Sequence, residues 1–306
     1  MSLEYLSRIL SMAKQAGRVR RLAVAAAGER VCLESVVVAR QEGLIEPILY
    51  GEAPVIGKLL GELGQSPADY RIVNEPDPMA SARLAAESLA SGESQIIMKG
   101  LMQTSDLLRV YFDKHFGLRL DRPLSHVGLF EVPGFGRVFA MTDAAINVAP
   151  DDDRMTAITA NVVGFMHRLG WKCPKVAFVA ASNRVQENQP ATVRAAKVAE
   201  RCAREVPGAV YAGPLALDES MSAEAAGTKR VDGAIQGDAD VLVVPTLETG
   251  NTIYKTLTMF AHAKVLGVCI GGKAPIVMTS RSDTEETKLL SMALCCLLAD
   301  ERKPGQ

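Results

Sequence analysis

The feature that most constrains this chain is an alternation of short apolar runs with longer amphipathic segments. The runs at residues 22–27, 95–99, 126–131, 137–143, 175–181, 240–245 and 275–280 are rich in β-branched or small apolar residues. Each is short and bounded by Gly, Pro or polar side chains, which is how strands read. Helix-like segments at 30–43, 79–91, 104–116, 152–169, 189–206 and 283–299 fall between many of them. Strand, helix, strand in repetition needs crossover helices and predicts an α/β fold with parallel strands. The 306 residues leave room for about two domains.

One helix is marked at both ends. Asp151, Asp152 and Asp153 precede it and Gly170 follows it. Acidic residues at the start suit the helix dipole, and a glycine just past the end suits a left-handed cap. An acidic triplet can also bind a divalent metal, but three consecutive residues are fully accounted for by the helix start. Residues 126–143 break the parallel pattern. Two apolar runs are joined by the turn-rich Val132-Pro-Gly-Phe-Gly136, which predicts an antiparallel pair. The stretch after it, 144–150, reads as a domain junction.

Charge and composition exclude several classes. Lys plus Arg number 34 against 35 Asp plus Glu, a net charge of −1, so the basic excess of a nucleic-acid binder is missing. Aromatics make up 5% with one Trp, too few for a base-stacking platform. The six cysteines, at 32, 173, 202, 269, 295 and 296, form no CxxC pair, and neither a zinc nor a disulfide framework can be read from them. No window carries a long uninterrupted apolar run, and the first ten residues lack the pattern of a signal peptide, so a reducing, cytoplasmic setting without a membrane span is expected.

Several motifs come close and fail. Gly267-Val-Cys-Ile-Gly-Gly-Lys273-Ala274 approaches a phosphate-cradling loop. Ala274 lacks the hydroxyl that would hold Mg²⁺, and a strand follows where the motif requires a helix. Gly134-Phe-Gly136 lacks the third glycine of a dinucleotide fingerprint, and no G-x-S-x-G elbow occurs. His115, His126, His167 and His262 show no metal-binding spacing. His126 differs from the others because it starts a strand, and strand ends in α/β sheets are where ligand sites collect.

Four polar clusters lie at the edges of apolar runs. They are Lys99-Gly-Leu-Met-Gln-Thr104 with Asp106 and Arg109, Thr142-Asp143-Ala-Ala-Ile-Asn147, Glu248-Thr-Gly-Asn251 with Tyr254 and Lys255, and Ser280-Arg281-Ser282-Asp283. Any one of them could be helix capping. Three of the four carry Lys or Arg, which together fits a site that binds an anion.

On these residues the chain resembles the phosphate acetyl/butyryltransferases, and the butyryl branch more closely. The matching stretches are Met98-Lys-Gly-Leu-Met-Gln-Thr104 with Asp106-Leu-Leu-Arg109, Leu124-Ser125-His126-Val127 and Thr142-Asp143-Ala-Ala-Ile-Asn147. They continue with Gly213-Pro-Leu-Ala-Leu-Asp218, Gly250-Asn251-Thr-Ile-Tyr-Lys255 and Ser280-Arg-Ser-Asp283, in family order. The resemblance implies reversible acyl transfer between coenzyme A and inorganic phosphate, butanoyl first and acetyl as the alternative. Coenzyme A is then a substrate, and no metal or resident cofactor is needed. It also implies the two-domain isocitrate/isopropylmalate dehydrogenase-like fold with the active cleft between domains, and a homodimer or higher homo-oligomer. On that plan residues 1–147 and 272–306 make one α/β domain, and 148–271 the other.

The same resemblance places the chemistry. Thiolate attacks an acyl phosphate, or phosphate attacks a thioester, and both anions must be held together while charge develops on the carbonyl oxygen. Arg281 and Arg109 match positions for the phosphate end, where the guanidinium fork suits phosphate. The other reading of Arg109 is a solvated charge on its helix. Ser280 is expected to donate to the developing oxyanion, or else to cap a helix. A thiol of pKa about 8.5 gains from a base. The position that carries the carboxylate in related acetyltransferases falls near Thr287 here. Asp283 is the preferred candidate over Glu286, with N-capping of the last helix as its alternative. Lys99, Thr104, Ser125, His126, Asp143, Asn147, Asn251 and Lys255 are expected to line the substrate site. A dehydrogenase of the same fold acting on 2-hydroxy acids with NAD(P) would need an Asp cluster around a metal, which the strand ends do not offer. A non-catalytic binding protein would have no use for the Ser280-Arg281 pair.

Overall fold

The computed structural model describes residues 5–279 and 283–299. The chain divides into two compact units. A terminal unit comprises Ser7–Arg122 with Leu266–Gln306, and a central unit comprises Pro123–Val265 with Met1–Leu6.

The first stretch of chain builds α1 Arg8–Gln15, β1 Arg20–Ala25, α2 Arg30–Gln41, β2 Ile45–Gly51 and α3 Ala53–Glu62. It continues with β3 Arg71–Asn74, α4 Pro78–Ala90, β4 Ile96–Lys99 and α5 Thr104–Tyr111. The middle stretch gives β5 Ser125–Glu131, β6 Val138–Thr142, α6 Asp152–Arg168, β7 Lys175–Val179 and α7 Pro190–Glu205. Next come β8 Val210–Leu215, α8 Leu217–Met221, α9 Ala223–Thr228, β9 Val241–Val243 and α10 Leu247–Phe260. The last stretch adds β10 Lys264–Ile270, β11 Ile276–Val277 and α11 Glu285–Leu298.

In the terminal unit the strand order is β3-β2-β1-β4-β11-β10. All neighbours are parallel except β10 and β11. From β1 the chain steps outward through β2 to β3, then returns to lay β4 on the other flank of β1. The crevice between the carboxyl ends of β1 and β4 is therefore a topological switch point, where open α/β sheets bind ligands. Pro47 interrupts β2, an inner strand. It is tolerated because β3 pairs only from Ile48 onward, so no ladder bond to β3 is lost. Helix α11 is buried along most of its length and packs on α1 and α2. The buried Arg20 side chain donates to the Ala299 carbonyl at 2.9 Å, satisfying the end of that helix.

In the central unit the order is β5-β6-β9-β7-β8. The β5–β6 pair is the antiparallel hairpin anticipated around residues 132–136. Phe130 and Phe139 are cross-strand partners whose rings stack at 5.3 Å, and Met141, Leu242 and Val244 complete the same core. Asp151 caps α6 by accepting from the Arg154 amide at 2.8 Å, and Gly170 takes φ +98 beyond its end.

The divisions at 122/123 and 265/266 differ from the expected ones at 147 and 272. The reason is pairing: β6 lies parallel to β9 along Ala140–Thr142, which binds the whole hairpin to the segment that follows it. The expected helix over 104–116 stops at Tyr111, because Asp113 starts a separate turn by accepting from the His115 amide at 3.0 Å. The loop at 271–274 joins two strands and opens no helix. Tyr111 fixes it, its hydroxyl donating to the Ala274 carbonyl at 2.8 Å and accepting from the Ala274 amide at 3.1 Å.

Candidate active site

The switch point of the terminal unit is built from unusually tight backbone. After β1 the chain turns through Ala26 at φ +52, a left-handed conformation that costs a residue with a side chain of order 1 kcal/mol or more. Three hydrogen bonds hold it there. The Ser81 hydroxyl accepts from the Ala26 amide at 2.8 Å and donates to the Tyr50 carbonyl at 3.0 Å, and Leu101 donates its amide to the Ala26 carbonyl at 2.8 Å. Gly100 lies against this turn so closely that a Cβ there would sit 2.2 Å from the Ala26 oxygen. The glycine after Lys99 is a packing requirement, and it presents Lys99 at the end of β4.

Parallel pairing of β11 with β4, Ile276 opposite Ile97 and Val277 opposite Met98, carries Thr279 to the same edge. A pocket of about 20 Å³, room for roughly one water-sized atom, lies here. Glu29, Cys32, Met98, Lys99, Thr279 and Lys288 line it. Lys288 projects from α11, is 3% exposed, and its ammonium has no hydrogen-bond partner among the described residues. Burial pushes the Cys32 thiol up to about 12 and Glu29 adds to this, outweighing the opposing pull of Lys99 and Lys288. Cys32 is thus a thiol at working pH, not a nucleophile.

Among the expected catalytic residues, Ser280 and Arg281 lie outside the described residues. Asp283 is half-buried. It does not cap the last helix: Thr284 does, its hydroxyl accepting from the Thr287 amide at 3.2 Å. Glu286 is exposed in the first turn of α11. Thr104 opens α5, half-buried. Arg109 is 72% exposed on α5, 3.5 Å from Asp106, and neither residue lines the pocket.

In the central unit, Ser125, His126, Asp143 and Asn147 are all buried where β5 begins and β6 ends, and Asp143 ties His126 and Asn147 into one network. Asp143 is 4% exposed and uses both carboxylate oxygens. One accepts from the amides of Ala145 and Ile146, each at 2.9 Å. The other accepts from the His126 amide at 3.1 Å and the Asn147 side chain at 2.6 Å. Asn147 also donates to the Leu124 carbonyl and accepts from Arg154 Nε. Asn161 donates to the Ser125 hydroxyl at 3.0 Å. These groups hold the turn after β6 in one shape. The buried His126 ring lies 6.2 Å from Tyr254, with no partner for its Nδ1 among the described residues. Burial lowers its pKa below 6.5 and Asp143 only partly restores it, so the ring is neutral at neutral pH.

Asn251 and Lys255, expected to line the substrate site, both stand on α10. Thr246 caps this helix by accepting from the Thr249 amide. Both residues are exposed. Asn251 reaches the Ala144 carbonyl at 3.4 Å, and the Lys255 ammonium lies 5.3 Å from the centre of the Tyr254 ring. Sequence reasoning missed Glu29, Thr279 and Lys288. Lys288 left a signal: it stands at i, i+3 and i+7 with Ser291 and Cys295 on a buried stripe, where the helical period calls for apolar residues.

Comparison with known proteins shows the family. The family model described as phosphate acetyl/butaryl transferase matches residues 57–296. A phosphate butyryltransferase of Clostridium acetobutylicum is 38% identical over 285 residues, 93% of this chain and 95% of that protein. A phosphate acetyltransferase of Thermotoga maritima is 35% identical over 296 residues, 96% of this chain and 100% of that protein. The crystal structure of a branched-chain phosphotransacylase from Enterococcus faecalis V583 superposes with a TM-score of 0.81 at 34% identity, covering 92% of this chain and 100% of that one. With a match over most of its length, the chain belongs to the phosphate acetyl/butaryl transferase family.

Proposed function

We propose that this chain moves a short acyl group, butanoyl in preference to acetyl, between coenzyme A and inorganic phosphate. In one direction a phosphate oxygen attacks the thioester carbonyl, the C–S bond breaks, and the proton of hydrogen phosphate passes to the departing thiolate. Products are acyl phosphate and free coenzyme A. Arg281 holds the phosphate through its planar fork, Ser280 donates to the carbonyl oxygen as charge develops there, and Asp283 relays the proton. The observation that carries this reading is the gathering of Lys99 and Lys288 around Thr279, the residue directly before Ser280 and Arg281, at the carboxyl ends of parallel strands. Two ammonium groups suit an anion, whereas a metal-assisted dehydrogenase would need carboxylates there. Assembly as a homodimer or higher homo-oligomer belongs to the same reading.

The test is thiol release from acetyl-, propanoyl-, butanoyl-, pentanoyl- and hexanoyl-CoA with phosphate varied. Phosphate-dependent release, insensitive to EDTA and with kcat/KM highest for butanoyl-CoA, is expected. A higher kcat/KM for acetyl-CoA would move the chain to the acetyl reading. Absence of release with every thioester would overturn the function.

A further inference from the structure

We infer that the pocket lined by Lys99, Thr279 and Lys288 receives one oxygen of inorganic phosphate, and that Lys288 is the residue that holds it. This deepens the acyltransferase reading and rests on it. The argument starts from cost. A lysine that is 3% exposed, with no hydrogen-bond partner for its ammonium among the described residues, keeps a charge out of water with no hydrogen bond to offset it. Such an arrangement is strongly unfavourable, and proteins keep it where an external group completes it.

The pocket defines that group. Its water-accessible space of about 20 Å³ suits a small polar group such as one oxygen of an anion. Its charged wall carries Lys99 and Lys288 against Glu29 alone, a balance of one positive charge that favours an anion. Its polar neighbour Thr279 adds a hydroxyl that can donate. A phosphate presents one oxygen inward while its others stay outside, in reach of further groups. The pocket lies at the β1–β4 switch point, on the edge of the sheet where ligands of this architecture enter. Lys288 follows directly on Thr287, whose amide is engaged by the Thr284 cap, so the first turn of α11 is anchored and the ammonium is held in place before phosphate arrives.

The test compares wild type with Lys288→Met, which keeps an unbranched side chain one atom shorter and removes its charge. Two quantities are read: KM for phosphate at saturating butanoyl-CoA, and the rise of Tm on adding inorganic phosphate without thioester. Wild type should show the rise. Lys288→Met should lose it and raise KM for phosphate by at least about tenfold, while KM for butanoyl-CoA moves by less than about twofold. Its Tm without phosphate should be unchanged or higher, since an uncompensated buried charge has been removed. Should the methionine variant not fold, Lys288→Gln takes its place under the same tenfold criterion. A folded variant with wild-type phosphate KM and an undiminished phosphate-dependent rise of Tm would overturn the inference and leave the acyltransferase reading standing. If wild type releases no coenzyme A but its Tm responds to phosphate through Lys288, the pocket survives and the acyltransferase reading falls.

Discussion

Asp143→Asn isolates what a single buried carboxylate contributes to the central unit. Asp143 accepts four hydrogen bonds, two on each oxygen, from donors at 2.6 to 3.1 Å. An amide can present only one oxygen. In one orientation its NH₂ faces the His126 amide and the Asn147 side chain; in the other it faces the amides of Ala145 and Ile146. Either way two donors oppose two donors. The second orientation is the cheaper, because Ala145 is exposed and water can reach its amide. Hydrogen bonds to a charged group are worth about 1.5–3 kcal/mol each, so losing two at the lower end costs about 3 kcal/mol. The single tryptophan, Trp171, is buried in this unit and donates to Asp240 at 3.1 Å, so its fluorescence reports the unit's unfolding. Its urea midpoint should fall by the equivalent of about 3 kcal/mol, and Tm by roughly 6–12 °C. A variant within about 1 kcal/mol of wild type would refute the claim that this carboxylate is the anchor of the turn.

Three further outcomes follow from the same observations. His126 is held neutral by burial, with its pKa depressed, so its contribution is complete above the ordinary histidine value of 6.5 and is lost as pH falls through the depressed one. Stability should therefore decline as pH falls below the ordinary histidine value of 6.5, and His126→Gln should flatten the decline; an unchanged slope sinks the assignment. Of the six cysteines only Cys173 is exposed, and burial raises the thiols of Cys202 to about 11 and Cys296 to about 12, so a disulfide reagent should label about one thiol per native chain, without loss of activity. Labelling of several thiols, or inactivation, would count against this. Arg281→Ala should lower kcat/KM for phosphate on the order of 10²-fold with Tm unchanged, and Arg281→Lys should recover part of it. Loss of Tm with normal phosphate kinetics would make Arg281 a structural ion-pair partner instead.

The sequence by itself determined whatever depends on neighbours along the chain. The alternation of apolar runs and helical segments announced the α/β class. Asp151 and Gly170 marked the ends of α6, and the turn at 132–136 announced the hairpin, because caps and turns are settled by the chemistry of a few adjacent residues. Tertiary structure decided the rest. Strand β2 does not stand among the apolar runs read from the sequence, and its Pro47 is harmless only because of where β3 begins to pair. The domain division moved to residue 122 because β6 pairs with β9, about a hundred residues away. Asp143 has the residue type expected of a binding group, yet its oxygens are taken by the turn that it organises. Lys288 stood unremarked in an apolar helix, and only the pairing of β11 with β4 brings Thr279 and Lys99 to its pocket. Burial and strand pairing are settled between residues far apart in the chain, so no local pattern encodes which polar group is spent on the fold and which is left for a ligand.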